Sequence, residues 1–269
     1  MQTPPATIFK FEPFSLRAIQ NLKCNSVYFG SPASFNDPFD CALTPPLKEP
    51  TDIELNAIAG KLISSLTIPD SARDQLFRLP QQELRNTVMR SANSIVEEQC
   101  ADFNTNKGIT CFSERNDNML MWSHYGGQHR GFCLEFRTDH EPFNKLRSVK
   151  YCKSLPEVDL TQFMLNENYE HVLELFCTKS IDWAYEREWR AIHAKAGTLF
   201  SYKGEALKAI YFGAQMSEQD IDMLCLILHG QIPSVELFRG RKSSSEFRIE
   251  FDKIDSYIPY AEAKRRGLA

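Results

Sequence analysis

A chain of 269 residues is long enough for one large domain or two small ones, and its 42% hydrophobic and 25% charged residues are those of an ordinary globular protein. A net charge of -4 and a pI near 5.9 argue against a dedicated nucleic-acid binder, which carries a basic footprint. No stretch reaches the roughly 18 apolar residues of a membrane span, and MQTPPATIFKFEPF lacks the charged and apolar regions of a signal peptide, so a cytoplasmic protein is expected.

In chain order, ATIFKFE reads as a short apolar strand. FSLRAIQNLKC follows as a helix with Ser15 as N-cap, and SVYFGSP as a strand ended by Gly30 and Pro32. SPASFNDPFDCAL is an irregular loop that Asn, Asp and Pro residues hold in shape. PTDIELNAIAGKLISSL and PQQELRNTVMRSANSIVEEQC read as amphipathic helices starting at Thr51 and Pro80. They predict a helical insertion over about 50–105 in a single domain spanning 1–269.

KGITCFSE reads as a strand, NDNMLMWSHYGGQ as a short helix ending at Gly126 and Gly127, and GFCLEFR and RSVKYCK as strands. Residues 156–179 read as helical, with Leu160, Phe163, Met164, Val172, Leu175 and Phe176 as the apolar stripe. YEREWRAIHA and ALKAIYFG read as strands, AQMSEQDIDMLCLILHG as a helix, SVELFRG and EFRIEFDKI as closing strands, and AEAKRRGLA as a frayed tail. Strands and helices mix without regular βαβ alternation, which predicts α+β with a mixed, largely antiparallel β core. The 8 cysteines form no Cys-x-x-Cys pair and are expected to be free, buried and apolar in role.

Three islands differ from the rest in chemistry. FGSPASFNDPFD packs Ser31, Asn36, Asp37 and Asp40 among phenylalanines, either to fix the turn or to meet a ligand. In CFSERNDNMLMWSHYGGQHRGFCLEF, Trp122 and Tyr125 share one side of the short helix beside His124, either as core or as a platform for a flat ring. His124 and His129 fall on different helix faces, so no metal site is expected. In WAYEREWR, strand alternation sends Ala184, Glu186, Glu188, Arg190 and Ile192 one way and Trp183, Tyr185, Arg187 and Trp189 the other. Two carboxylates about 7 Å apart would then stand beside a guanidinium. That group is either an ion-pair network tying strands, or a Glu-x-Glu pair that positions a sugar hydroxyl or acts as a base.

At these islands the chain resembles a widespread bacterial family of domains of unknown function. The motifs here are YFGSPASFNDPFD, CFSE with LMWSHY, YEREWR and the later AIYFGAQMS, in the same order. Members of that family look like accessory or effector proteins, some near phage-defence genes. More distantly, the element order looks like the ADP-ribosyltransferase fold with its split sheets. That likeness implies NAD as cofactor and a protein or nucleic acid as acceptor. It places Lys10 on the first strand, Ser113 with Tyr125 around the nicotinamide, and Glu188, with Glu186 upstream, as the catalytic carboxylate. Where the family has an arginine on the first strand, this chain has Glu12. The alternatives are a non-enzymatic module that binds a nucleotide-like molecule or a partner, and a hydrolase or nuclease using Glu186, Glu188 and His124.

Overall fold

The computed structural model describes residues 2–41, 45–65, 69–166 and 169–267. In chain order the elements are β1 (Thr7–Glu12), α1 (Leu16–Lys23), β2 (Ser26–Phe29), β3 (Leu47–Lys48), α2 (Asp52–Ser65), α3 (Asp70–Phe77), α4 (Gln81–Asn106), β4 (Gly108–Ser113), α5 (Met119–His124), β5 (Phe132–Arg137), β6 (Arg147–Ser148), β7 (Lys150–Cys152), β8 (Val158–Asp159), α6 (Tyr169–Leu175), β9 (Thr178–Ser180), β10 (Glu188–His193), β11 (Thr198–Ser201), β12 (Leu207–Phe212), α7 (Glu218–Gln231), β13 (Glu236–Lys242), β14 (Ile249–Ile254) and α8 (Tyr260–Arg265). The α+β class with a largely antiparallel sheet is as the sequence predicts. No described helix is long and apolar enough to cross a membrane.

Contacts gather these elements into two units, the first made of Met1–Gly30, Gly108–Val149 and Asp182–Ala269. Its sheet has 8 strands in the order β14-β13-β12-β5-β1-β4-β10-β6, and β12–β13 is a parallel pair among antiparallel ones. Directly paired residues point to the same face, so register sorts the side chains. One face carries Ile8, Phe112, Leu134, Phe136, Trp189, Ile210 and Phe212, and these form the main core with Leu22 of α1 and Leu224 and Leu228 of α7. The other face carries Glu135, Phe9, Ser113 and Glu188 in one transverse row and Cys133, Phe11, Cys111 and Arg190 in the next. A smaller core covers part of this second face: Trp122, fully buried, meets Phe11 edge to face at 5.2 Å.

The second unit, Ser31–Lys107 with Lys150–Ile181, holds α2, α3, α4 and α6 and the short parallel pairs β3–β8 and β7–β9. Leu55, Ile58, Leu84 and Val88 form the buried stripes of α2 and α4, and Phe103 stacks on Phe176. Thr51 and Glu54 cap α2 reciprocally, with the Thr51 N–H donating to Glu54 Oε2 at 2.8 Å.

Several expected boundaries move. WAYEREWR is not one strand. Ile181–Glu186 is a 3-10 turn, Arg187 has a left-handed φ of 45°, and β10 begins at Glu188. Alternating aromatics there imitate a strand, while the turn is closed by the Arg187 N–H donating to the Ala184 carbonyl. Residues 156–179 contain β8, a π-helical turn at Thr161–Leu165, α6 and β9 instead of one helix. Within that span, residues 167–168 and the side chain of Val172 lie outside the described residues, as do Leu66 of the first expected insertion helix and the last two residues of the tail. RSVKYCK divides into β6 and β7, and the tail expected to fray contains α8. None of the 8 cysteines forms a disulfide; Cys24 is exposed, Cys111 and Cys152 are half-buried and the rest are buried.

Backbones pack closely beside α5. The Gly213 N–H donates to the Gly131 carbonyl at 2.9 Å, and a methyl group on Gly213 would run into the His129 carbonyl oxygen. Gly213→Ala should therefore lower stability by about 1–3 kcal/mol in urea unfolding. Gly230→Ala has open space within α7 and should raise it by about 0.5–1 kcal/mol. Equal effects of the two would contradict this packing.

Candidate functional site

Ser113 is the point at which the second and third islands join. It ends β4 opposite Glu188, its hydroxyl donates to the Glu186 carbonyl at 2.6 Å, and it accepts from the Arg115 N–H at 3.2 Å. The strand and the preceding turn are thereby tied at one spot. Asn118 caps α5, accepting from the Leu120 N–H, while its amide donates to the Tyr185 carbonyl at 3.1 Å. The Trp122 indole donates to the Asn116 carbonyl at 2.5 Å, so its polar edge is satisfied inside the smaller core.

The two glutamates have different settings. Glu188 and Arg190 are two residues apart on β10, so they share a face. Arg190 Nε lies 2.7 Å from Glu188 Oε1, and its terminal nitrogen lies 3.0 Å from Oε2. This two-pronged contact is buried, with Arg190 at 0% and Glu188 at 5% exposure. A guanidinium fork favours the ionised carboxylate and fixes its orientation. Glu186 comes from the turn and not from the strand. Its Oε1 accepts from the Tyr125 hydroxyl at 2.6 Å. The carboxylates therefore meet the same end of the sheet by two routes, and the alternation expected for a continuous strand does not place them.

Aromatic rings stand above this end. The exposed His124 lies 6.2 Å from Tyr125, 6.3 Å from Trp183 and 6.4 Å from Tyr185 between ring centres. Trp183 and Tyr185 are 5.9 Å apart and, like Tyr125, half-buried. Polar-tipped rings that are partly wet and partly packed form a surface suited to a flat ligand.

Residues 121–191 match a family described as protein of unknown function (DUF2971). That match takes in Trp122, His124, Tyr125, Glu186, Glu188 and Arg190, and leaves Ser113 outside. No curated protein matches the chain. No solved structure matches it either.

The remaining expected site residues are placed elsewhere. Lys10 belongs to the first unit, as Ser113 and Glu188 do, but it is on the opposite face of the sheet from them. It lies 5.5 Å from the centre of the Phe112 ring and 3.6 Å from Glu12. One-residue parity along β1 puts Phe9, not Lys10, in the row of Ser113. Ser31, Asn36 and Asp37 belong to the second unit. There Ser31 caps a 3-10 turn and donates to the Asn104 carbonyl at 2.6 Å, and Asp37 accepts from the Phe39 N–H at 2.9 Å. Asn36 is exposed. In that loop Asp40 forms a buried ion pair with Lys179 at 3.3 Å.

Sequence reading passed over Glu135, which lies in the row of Ser113 and Glu188. It is 3% exposed and takes Lys208 Nζ and the Tyr211 hydroxyl, both at 2.7 Å. A lone glutamate inside the apolar run GFCLEF was its signal. Burial first, and Glu135 next, push the neighbouring Cys133 thiol well above its ordinary value, so it is an inert core group. Among the described residues no cluster of His, Cys, Asp and Glu is placed to hold a metal ion.

The fork yields a stability test. Arg190→Met should cost about 3–5 kcal/mol, because the Glu188 carboxylate stays buried without its guanidinium. The double variant Arg190→Met with Glu188→Gln should recover part of that loss in urea unfolding. Strictly additive losses would show that the two side chains are not coupled.

Proposed function

We propose that the chain binds a nucleotide-like small molecule at the cluster of His124, Tyr125, Trp183, Tyr185, Glu186 and Glu188. The observation that carries this reading is the Tyr125–Glu186 hydrogen bond of 2.6 Å. It fixes a carboxylate at the base of half-buried rings, the pairing of flat surface and acceptor that a base and its sugar hydroxyls require. Aromatic faces take any flat heterocycle, and a carboxylate accepts hydroxyl hydrogen bonds. Both Glu188 oxygens are engaged by the Arg190 fork, so general-acid hydrolysis through Glu188 fits less well.

NAD-dependent ADP-ribosyl transfer by a phage-defence effector is the second reading. Its support is the direct pairing of Ser113 with Glu188 across β4 and β10, two positions that the transferase likeness assigns together. Its third position does not fit: Lys10 faces the other side of the sheet, where it cannot hold the pyrophosphate of a dinucleotide bound near Glu188.

Thermal unfolding with ATP, ADP-ribose and NAD, followed for the wild type and for Trp183→Ala and His124→Ala, separates the outcomes. The binding reading expects at least one compound to raise Tm in the wild type, and both substitutions to abolish the rise while the chain stays folded. No rise with any compound, or a rise that survives both substitutions, would contradict it. Labelled NAD and cell lysate test transfer: released nicotinamide and a labelled acceptor, both lost in Glu188→Gln, would establish the second reading.

A further inference from the structure

We propose that the cleft between the β13–β14 hairpin and the turn Gly127–His129 binds a small organic anion, a phosphate- or carboxylate-bearing molecule with an apolar body. The cleft has a volume of about 460 Å³, within the usual range for small-molecule sites. Met119, Ala214 and Ile249 supply apolar lining, and His129, Gln215 and Lys242 supply polar groups. Its lining shares no residue with the aromatic–carboxylate cluster, and it does not depend on that cluster being a ligand site.

Two independent features make the cleft more than a gap under a hairpin. The first is backbone conformation. Gly127, Gln128 and His129 all have left-handed φ, at 56°, 56° and 65°. Non-glycine residues are uncommon there, and two in succession must be held by their surroundings. The His129 N–H donates to the Trp122 carbonyl, and its own carbonyl accepts from the Gln215 N–H at 2.9 Å. The turn thus sets the imidazole against the buried indole of Trp122, with Nε2 3.2 Å from the Ser123 hydroxyl.

The second feature is charge. Lys242 ends β13 and has no carboxylate within ion-pair distance among the described residues. Arg248 of the same hairpin is taken up by Glu246 and Glu250, each at 3.2 Å. The charged groups around the cleft are thus Lys242, Arg248 with its partners Glu246 and Glu250, and, through Arg248, Asp117. Burial first, and the Lys242 ammonium second, lower the affinity of His129 for a proton. An anion seated between them would offset that repulsion and give both groups a partner, while its apolar body covered Met119 and Ile249.

The test is an NMR titration of the full chain with phenyl phosphate, benzoate and inorganic phosphate, following the His129 ring and the Met119 methyl. The proposal expects saturable shifts at both with at least one of the organic anions, and a His129 titration midpoint moved upward when the site is filled. Phenyl phosphate and benzoate distinguish the two headgroups. Lys242→Gln, at an exposed position, should weaken binding about tenfold, as loss of a charge-assisted contact does. His129→Asn, which tolerates the left-handed conformation, should weaken it as well. Absence of saturable shifts, binding unchanged in Lys242→Gln, or inorganic phosphate binding as tightly as both organic anions would overturn the proposal. Because the shifts are read at His129 and Met119, their absence leaves the reading of the Trp183 cluster untouched.

Discussion

The fork between Arg190 and Glu188 is the constraint around which the candidate site is arranged. A fully buried guanidinium is tolerable only with a well-placed anion, and both prongs of the fork are in contact at 2.7 and 3.0 Å. Strand pairing then fixes Ser113 opposite Glu188. The Ser113 hydroxyl in turn holds the turn that bears Glu186, and Tyr125 of the adjoining helical segment reaches that carboxylate. A buried pair that costs much to desolvate thereby sets the position of the groups that meet solvent. Its contribution is specificity of arrangement more than net stability.

The two faces of the sheet divide the work of the first unit. One face is an apolar layer between strands and α1 and α7, where Trp189 and Phe112 supply bulk. The other alternates aromatic residues with buried charges, Glu135 with Lys208 at one flank and Glu188 with Arg190 toward the other. Burying so many polar groups on one face is expensive unless each has a partner. Their concentration opposite the main core is what separates this face from ordinary packing, and Lys10 shows how sharp the division is. One position along β1 decides whether a side chain joins the Ser113 row or the Phe112 layer.

Much of the fold was legible because its signals are local. Short apolar runs in ATIFKFE and GFCLEFR mark strands, and Ser15 before an apolar-periodic run marks the start of α1. Glu188 and Arg190 were correctly placed on one face, since both lie within β10. Glu186 was assigned to that strand because WAYE has the composition and alternation of one; the left-handed Arg187 that ends the turn leaves no sequence signature. Long-range pairing was hidden altogether. Nothing near Asp40 announces Lys179, nothing in GFCLEF names Lys208, and nothing in YGGQH foretells that His129 faces a hairpin more than a hundred residues on.

The central claim is that a flat ligand lies on the rings above the two glutamates. Of the 3 tryptophans, Trp122 and Trp189 are buried and Trp183 is half-buried in the aromatic cluster, so emission quenching reports on the site directly. Titration with ADP-ribose should quench part of the emission in a saturable way, and Trp183→Phe should remove that response without altering the emission of the other two. Quenching that persists in Trp183→Phe, or no quenching of the wild type by a ligand that raises its Tm, would contradict the account.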